Sequence, residues 1–561
     1  MKKMKVLLGV SVSIIMMISC QKEILNDSNE TNDASSTHKV SLKAGQIITI
    51  DPNGNDATGN GSTTAPYKSL YKACSVATTS GTTIHVNAGT YLETSTCKLA
   101  VGVSIVGEGA TSIIRSTVTG ADYPILYMSS GAEGTNGNQS ISFVKFDGNN
   151  LATGTAIMMF ARSNVTIHDC MFTNFNYHGV RIFGKTGGGA GAPTIYATGN
   201  KFYNNTMTNC AGYQAGSGGY GNLSFGGQDG MLIYGNTITQ SGRPYGQNGE
   251  CIKALNNNGY NKGVKIYNNI LTSDANSSSS AWDFTIELWN NTGGIEIYNN
   301  EIYNSAIDIA GNVGESKGSY SYSVSVHDNI IGCKSLPAIQ EIGIIIEGLV
   351  NTSDVLIYNN TIKNVNTGIA FYPLNGGTYN NIKIYYNIFD QIGINLTGWN
   401  GTFAIAFSSN ESSPVYHTDN WQILNNVFNA CTKSGSYQTS AISLWNKGGS
   451  TVTNTYIRNN IFTGWDYASI RNASDGTMDY LWIQNNNCFN NGNSNNPYMP
   501  VTPTHYTIQN CIKTDPLFVS STNFKLQSTS KAINAGMNVG LSKDCIGDPI
   551  VNTPDIGAYE N

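Results

Sequence analysis

The chain has 561 residues, of which 40% are hydrophobic and only 12% charged, with 61 Gly and 31 Tyr. Its 31 basic and 36 acidic residues give a formal charge of −5, a balance that argues against nucleic acid or an anionic membrane surface as a partner. Low charge with abundant Gly, Asn, Ser and Thr would suit a disordered chain, but regularly recurring Ile and Val positions oppose that, and an internal repeat removes the inference from length to several domains.

Residues 1–19 read as an export signal: Lys2, Lys3 and Lys5, then an apolar run over 6–18. Met16-Met17-Ile18-Ser19-Cys20 resembles a bacterial lipobox, which implies cleavage before Cys20 and lipid on its thiol. Residues 20–45 then form a polar tether. Loss of the three lysines leaves 28 basic against 36 acidic residues, a net of −8. Gln21-Lys22-Glu23 resembles an outer-surface export tag of gut-type Gram-negative lipoproteins, so the expected location is the outer membrane, facing the periplasm or the cell surface. The lipid is the only expected tie to the membrane, because no other segment reaches transmembrane length.

Residues 46–110 hold an entry module. Ile47-Ile48-Thr49-Ile50 reads as a strand and Ala65-Pro66-Tyr67-Lys68-Ser69-Leu70 opens a short helix to about Thr78. Further strands follow at Thr83-Ile84-His85-Val86 and Val103-Ser104-Ile105-Val106. This order resembles the cap and first coils of pectate-lyase-like right-handed β-helix proteins, whose helix plugs the open end of the core. Asp51, Asn53 and Asn55 alternate as in a calcium loop, but the closing glutamate of an EF-hand is missing, so the stretch reads as a turn.

Beyond the cap a Tyr-Asn-Asn unit recurs, sometimes with altered first positions. Its last Asn falls at 236, 269, 300, 329, 360, 387, 426, 460 and 486, with spacings between 26 and 39 residues. A period near thirty denotes a solenoid. The residues before each Asn alternate apolar and polar, as a half-buried strand does. A second apolar pair and a third short strand follow, without an amphipathic helix. Three strands per coil spell an all-β parallel β-helix over 46–514, and the resemblance of the entry module implies that it is right-handed with a short N-terminal capping helix. The Asn tolerates left-handed backbone and suits a tight corner, and its amide can join a ladder along the stack, whose spacing is about 4.8 Å. Residues 184–229 are the loosest, and Tyr358, Tyr385 and Trp445 are aromatic side chains that a purely glycan-binding solenoid would use. Residues 515–561, with Asp515-Pro516-Leu517-Phe518 and Asp555-Ile556-Gly557-Ala558-Tyr559-Glu560, resemble the closing segment of secreted β-helix proteins of Bacteroidota-type bacteria, packed on the last coils.

Ten cysteines besides Cys20 are widely spread, with no zinc spacing. Cys74–Cys97 and Cys488–Cys511 are the pairs nearest in sequence, while Cys170, Cys251 and Cys431 read as isolated buried thiols.

The third strands align on an inward apolar residue: Val180, Leu223, Ile252, Ile286, Ile307, Ile344, Ile369, Ile405, Ile442 and Ile470. The next residue must point outward, and that column reads Arg181, Ser224, Lys253, Glu287, Asp308, Ile345, Ala370, Ala406, Ser443, Arg471. Charges are scarce in this chain, yet they gather on consecutive coils, with Trp289 beside them to stack on a sugar ring. Glu250, Asp229 and Asp283 lie before or beside the same sheet.

Glu287 and Asp308 on neighbouring coils would place carboxylates about 5 Å apart, near the ~5–5.5 Å of retaining glycosidases, and Glu250 or Asp229 would extend this toward the ~6.5–9.5 Å of inverting ones. Adjacent acids push their pKa values apart, leaving one acid and one anion. Gly249-Glu250-Cys251-Ile252 resembles the Asp-Asp-Cys-Ile element of polygalacturonases, though with one acid, and the Gly-His-Gly and Arg-Ile-Lys elements of that family are absent. These features point to a glycoside hydrolase on a polysaccharide or oligosaccharide, with Glu287, Asp308, Lys253 and Glu250 catalytic and Arg181, Trp289, Asp229 and Asp283 binding substrate. That reaction requires no cofactor. The alternative is β-elimination on a uronic-acid polymer, with Lys253 or Arg181 as base and Ca2+ held by Glu287, Asp308 and Asp283. A third reading is a non-catalytic glycan-binding or adhesin solenoid.

Overall fold

The structure is a computed structural model. It describes residues 45–561 except 121–122, 212–219, 242–248, 255–259, 274–283, 290, 292, 311–319, 335–341, 348–350, 373–375, 394–402, 408–413, 431–438, 473 and 493–501. The export signal, Cys20, the tether, Asp283 and Cys431 therefore lie outside the described residues.

Among the described residues the chain winds into a right-handed parallel β-helix. Two faces merge into a 28-stranded sheet and the third is a 13-stranded sheet. Period-2 alternation is the cause: in one column Ile233, Ile266, Ile297, Val326, Ile357 and Ile384 stand opposite one another on successive strands, all fully buried. A single coil has no second layer to cover these side chains, and stacking supplies it.

The Asn ladder is continuous from Asn205 to Asn486. On each coil one Asn Oδ1 accepts both the backbone N–H and the Nδ2 of the Asn before it, as Asn300 Oδ1 does from Asn269 at 3.0 and 2.9 Å. The corner itself differs from expectation. Positive φ falls on the residue preceding each ladder Asn, as at Asn268 (54°), Asn299 (53°) and Asn359 (54°), and not on the ladder Asn. The first Asn of the pair turns the chain, so the second can turn its amide into the stack. The rings before the pair also stack, from His168 through Tyr203, Tyr234, Tyr267, Tyr298 and His327 to Tyr358 and Tyr385, with centroids 4.6–5.1 Å apart. Tyr358 and Tyr385 cover each other's faces, so they stabilise the stack and offer sugars little more than their edges.

At the N-terminal end the capping helix spans Leu70–Val76 and buries Leu70, Ala73 and Cys74. Ser69 Oγ accepts from Lys72 N, and the Glu93 carboxylate accepts from the N–H groups of Leu70 (2.7 Å) and Tyr71 (3.1 Å), so the helix start is fully partnered. Asp51 and Asn55 accept from the backbone N–H groups of Asn53, Ala57 and Thr58, as turn residues do. The described cysteines are free thiols. The stretch 184–229 carries ordered strands at Lys201–Tyr203, Thr206–Thr208 and Tyr220–Gly226 despite its glycines.

Residues 515–561 lie along the corner edge of the last coils. Phe524, Cys545 and Ala558 pack on Tyr386 and Val427, and Leu526, Ala532 and Ile556 pack on Ile461. Asn425 Nδ2 donates to Gly557 O at 3.0 Å and Asn459 Nδ2 to Met537 O at 2.8 Å. No described helix is long and apolar enough to cross a membrane.

Candidate functional site

The 13-stranded sheet carries the charged column in the register read from the sequence. Val180 stands opposite Leu223, Leu223 opposite Ile252, Ile252 opposite Ile286, and Ile286 opposite Ile307. The outward neighbours therefore align as Arg181, Ser224, Lys253, Glu287 and Asp308 on five consecutive strands. Lys253 is 3% exposed, Glu287 5%, and Glu250 and Asp308 are fully buried.

Lys253 is the hub. Its Nζ lies 3.1 Å from Glu250 Oε1 on its own strand, Gly249–Ala254, and is ion-paired with Glu287 Oε2 on the next. The half-buried Trp289 donates its indole N–H to Glu287 Oε1, so the indole positions a carboxylate as well as offering a ring. Glu287 is thereby held by a cation on one oxygen and a neutral donor on the other.

Asp308 stands opposite Glu287, but its carboxyl partner is Glu347, at the end of the following strand, Ile342–Glu347. Among the described residues, neither Asp308 oxygen receives an N–H or hydroxyl donor. The side chain that bears most on its titration is the Glu347 carboxyl. Burial, then the Glu347 charge, pushes Asp308 well above the ordinary carboxylate range. Burial raises Glu347 as well. The acid that most perturbs Asp308 is thus Glu347 and not Glu287. Strand parity puts Glu347, two residues beyond Ile345, on the same outward face, but the sequence reading gave it no role.

His178 also belongs here and was missed, and Ser224 was read in the outward column but given no role. His178 lies three residues before Arg181, so strand alternation alone does not put it on the outward face, and it is 3% exposed. Its Nδ1 lies 3.2 Å from Gly221 O and 3.0 Å from Ser224 Oγ. Burial, then the charges of Arg181 and Lys253, holds the imidazole neutral well below its ordinary value. Gly221 stands opposite Glu250, and a Cβ there would meet Lys253 Cβ at 2.8 Å. Arg181 lies over the Phe183 ring at 5.1 Å, at the border of the group.

Asp229 stands apart. The strand Tyr220–Gly226 ends and Gly227 turns the chain at φ 65°, so Gln228–Asp229 pairs with Ala197–Thr198 on another side. There Asp229 meets Lys262 Nζ at 3.4 Å. Of the three calcium ligands considered, Glu287 faces Lys253, Asp308 faces Glu347, and Asp283 is outside the described residues. Among those residues no group of three or more His, Cys, Asp or Glu is arranged to hold a metal ion.

The fold is that of a right-handed parallel β-helix protein with a charged cluster on one sheet face. The profile of a family described as "protein of unknown function (DUF1565)" matches residues 52–285. A comparison with curated proteins finds no match. Among solved structures, the chain is similar to XylC in complex with xylose, at 11% identity over 92% of this chain and 98% of that one, with a TM-score of 0.38. It is also similar to a tailspike protein of E. coli bacteriophage HK620 in complex with a pentasaccharide, at 12% identity over 78% and 76%, TM-score 0.43. A third is the A-module of the mannuronan C-5 epimerase AlgE6 of Azotobacter vinelandii, at 13% identity over 80% and 93%, TM-score 0.33.

Proposed function

We propose that the protein is a glycoside hydrolase that cleaves glycan chains on the outward face of its 13-stranded sheet. One observation carries this reading. Asp308, a fully buried carboxyl that burial and the Glu347 charge raise well above the ordinary range, stands opposite a carboxylate held by a cation on the adjacent strand, Glu287 on Lys253. Glycosidic cleavage asks for this combination, an acid to protonate the leaving oxygen and a carboxylate to act on the other side of the sugar ring. In this reading Asp308 and Glu347 supply the proton, Glu287 is the base or nucleophile, Lys253 and Trp289 position it, and Glu250 sets the charge on Lys253. The hydrolase reading is preferred to elimination because the Lys253 ammonium is directed at Glu250 and Glu287, an arrangement that orients carboxylates and does not free an amine to abstract a proton. The lipobox-like segment ending at Cys20 supports an outer-membrane lipoprotein, and the elongated sheet face suits a polymeric substrate.

The test is product analysis on neutral and uronic-acid polysaccharides, with and without chelator, for wild type, Glu287→Gln and Asp308→Asn. New reducing ends without the ultraviolet absorbance of an unsaturated uronate, lost in both variants, are expected. That absorbance, abolished by chelator, would replace the hydrolase by a lyase.

A further inference from the structure

Five coils beyond Asp308, about 24 Å along the axis at the usual strand spacing, the long sheet presents a second polar and aromatic face. Gln422, Tyr456 and Trp482 stand opposite one another on successive strands, and the Tyr456 and Trp482 rings stack at 4.5 Å. The neighbouring column carries the tyrosine ladder as far as Tyr385, and then Leu424 and Arg458 take its place. Where the ladder stops, a hollow of about 250 Å³ opens, lined by Asn420, Gln422, Leu424, Tyr456, Arg458 and Val539.

Two features of this face point to a ligand. The first is Arg458. Its Nε donates to Gln484 Oε1 at 2.9 Å and its guanidinium lies 4.6 Å over Tyr456. Among the described residues no carboxylate is ion-paired with it. The acids nearby are otherwise engaged, Asp419 with Thr453 and Asn454, and Asp479 with His505. Burial lowers the pKa of Arg458 from its ordinary value, a cost that a bound anion would reverse. The second feature is Tyr480. It holds φ 53° at a corner where the preceding coils place Asn381, Asn420 and Asn454, residues that adopt this backbone readily. The tyrosine is strained there and 43% exposed, and its ring stacks on His505 at 4.7 Å and lies 5.8 Å from Trp482.

We propose that this face is a second saccharide site, separate from the carboxyl cluster, which takes an acidic sugar. The sugar carboxylate sits on the terminal nitrogens of Arg458, the amides of Asn420 and Gln422 meet hydroxyls, and Tyr480 and Trp482 carry the apolar side of a neighbouring ring. Arg458 is the half of a charge-assisted pair whose other half the protein does not supply.

The test is calorimetric titration of Glu287→Gln protein, so that cleavage does not intrude, with oligogalacturonate and oligomannuronate and with the methyl ester of each. At least one acid oligomer is expected to bind more tightly than its ester. Arg458→Gln weakens the acid form about tenfold and leaves the ester unchanged. Tyr480→Asn, which restores the residue of the earlier coils and should fold at least as well, weakens both forms. Binding that neither substitution alters, equal binding of acid and ester, or no binding at all would overturn the assignment. Wild-type protein that cleaves nothing yet binds an acid oligomer through Arg458 would remove the hydrolase reading and leave this site standing.

Discussion

Glu287 and Asp308 stand directly opposite each other on adjacent strands, yet their carboxyl groups face different partners: Glu287 turns to Lys253 and Trp289, and Asp308 to Glu347. Adjacent acids that both faced the space between them would repel. Here Glu287 is ion-paired with an ammonium group, and burial with the Glu347 charge favours the protonated form of Asp308. In the proposed reaction this division supplies a base and an acid on neighbouring coils.

Lys253 is therefore the group on which the cluster depends. Lys253→Met leaves Glu250 and Glu287 buried without a cation, and the expected loss is about 3–5 kcal/mol of stability in urea denaturation. The double variant Lys253→Met with Glu287→Gln should recover part of that loss. A double variant no more stable than the single one would show that the ion pair is not the source.

The Asp308–Glu347 pair makes stability depend on pH in a defined direction. Both carboxyls are raised in the folded state, so above the unfolded value of about 4 the native protein binds more protons than the unfolded chain, and stability falls as pH rises toward the folded values. Asp308→Asn removes most of this dependence. Denaturation between pH 4 and pH 8 should show the variant gaining on wild type as pH rises, whereas a constant gap would contradict a raised Asp308 carboxyl. Cleavage should fall about 10²–10⁴-fold with the loss of the acid.

The two asparagines of each corner should separate in their costs. Asn300→Ala removes the acceptor of the Asn269 N–H and Nδ2 and the donor to Asn329, all buried, for an expected loss of about 2–4 kcal/mol. Asn299→Ala disturbs only the left-handed backbone, for about 1–2 kcal/mol, and Asn299→Gly should cost less still. Urea midpoints of the three variants order them.

The closing segment carries a pH-sensitive contact. Burial, then the charges of Asp555 and Asp544, raises Glu560 to about 7. Its carboxylate accepts from Asp555 N at 3.0 Å, and its own N–H donates to Asp544 Oδ2 at 3.0 Å. A raised carboxyl loses its stabilising proton as pH climbs from about 4.3 through 7. Limited proteolysis should release the segment faster at pH 8 than at pH 5, and Glu560→Gln should abolish the difference.

Most of the coil geometry was legible because it rests on local periodicity. Ile252, Ile286 and Ile307 fix an inward column, and with strand period 2 the identity of the next residue, Lys253, Glu287 or Asp308, gives the outward one. Side-chain direction along the strand was not legible, so the sequence paired Glu287 with Asp308 where the structure pairs Asp308 with Glu347. Asp229 failed for a related reason: the turn at Gly227 moves it to another face, and no hydrophobic pattern marks that turn. The Asn corner was recognised, but which of two adjacent asparagines carries positive φ depends on where the amide ladder runs, a contact between coils about thirty residues apart.

The most direct test of the central claim is mass analysis of cleavage products formed in heavy-oxygen water. Hydrolysis driven by Glu287 and the Asp308–Glu347 pair places one solvent oxygen in every new reducing end, and both Glu287→Gln and Asp308→Asn should suppress these products. Products that contain no solvent oxygen and are lighter by one water would contradict the account and identify elimination instead.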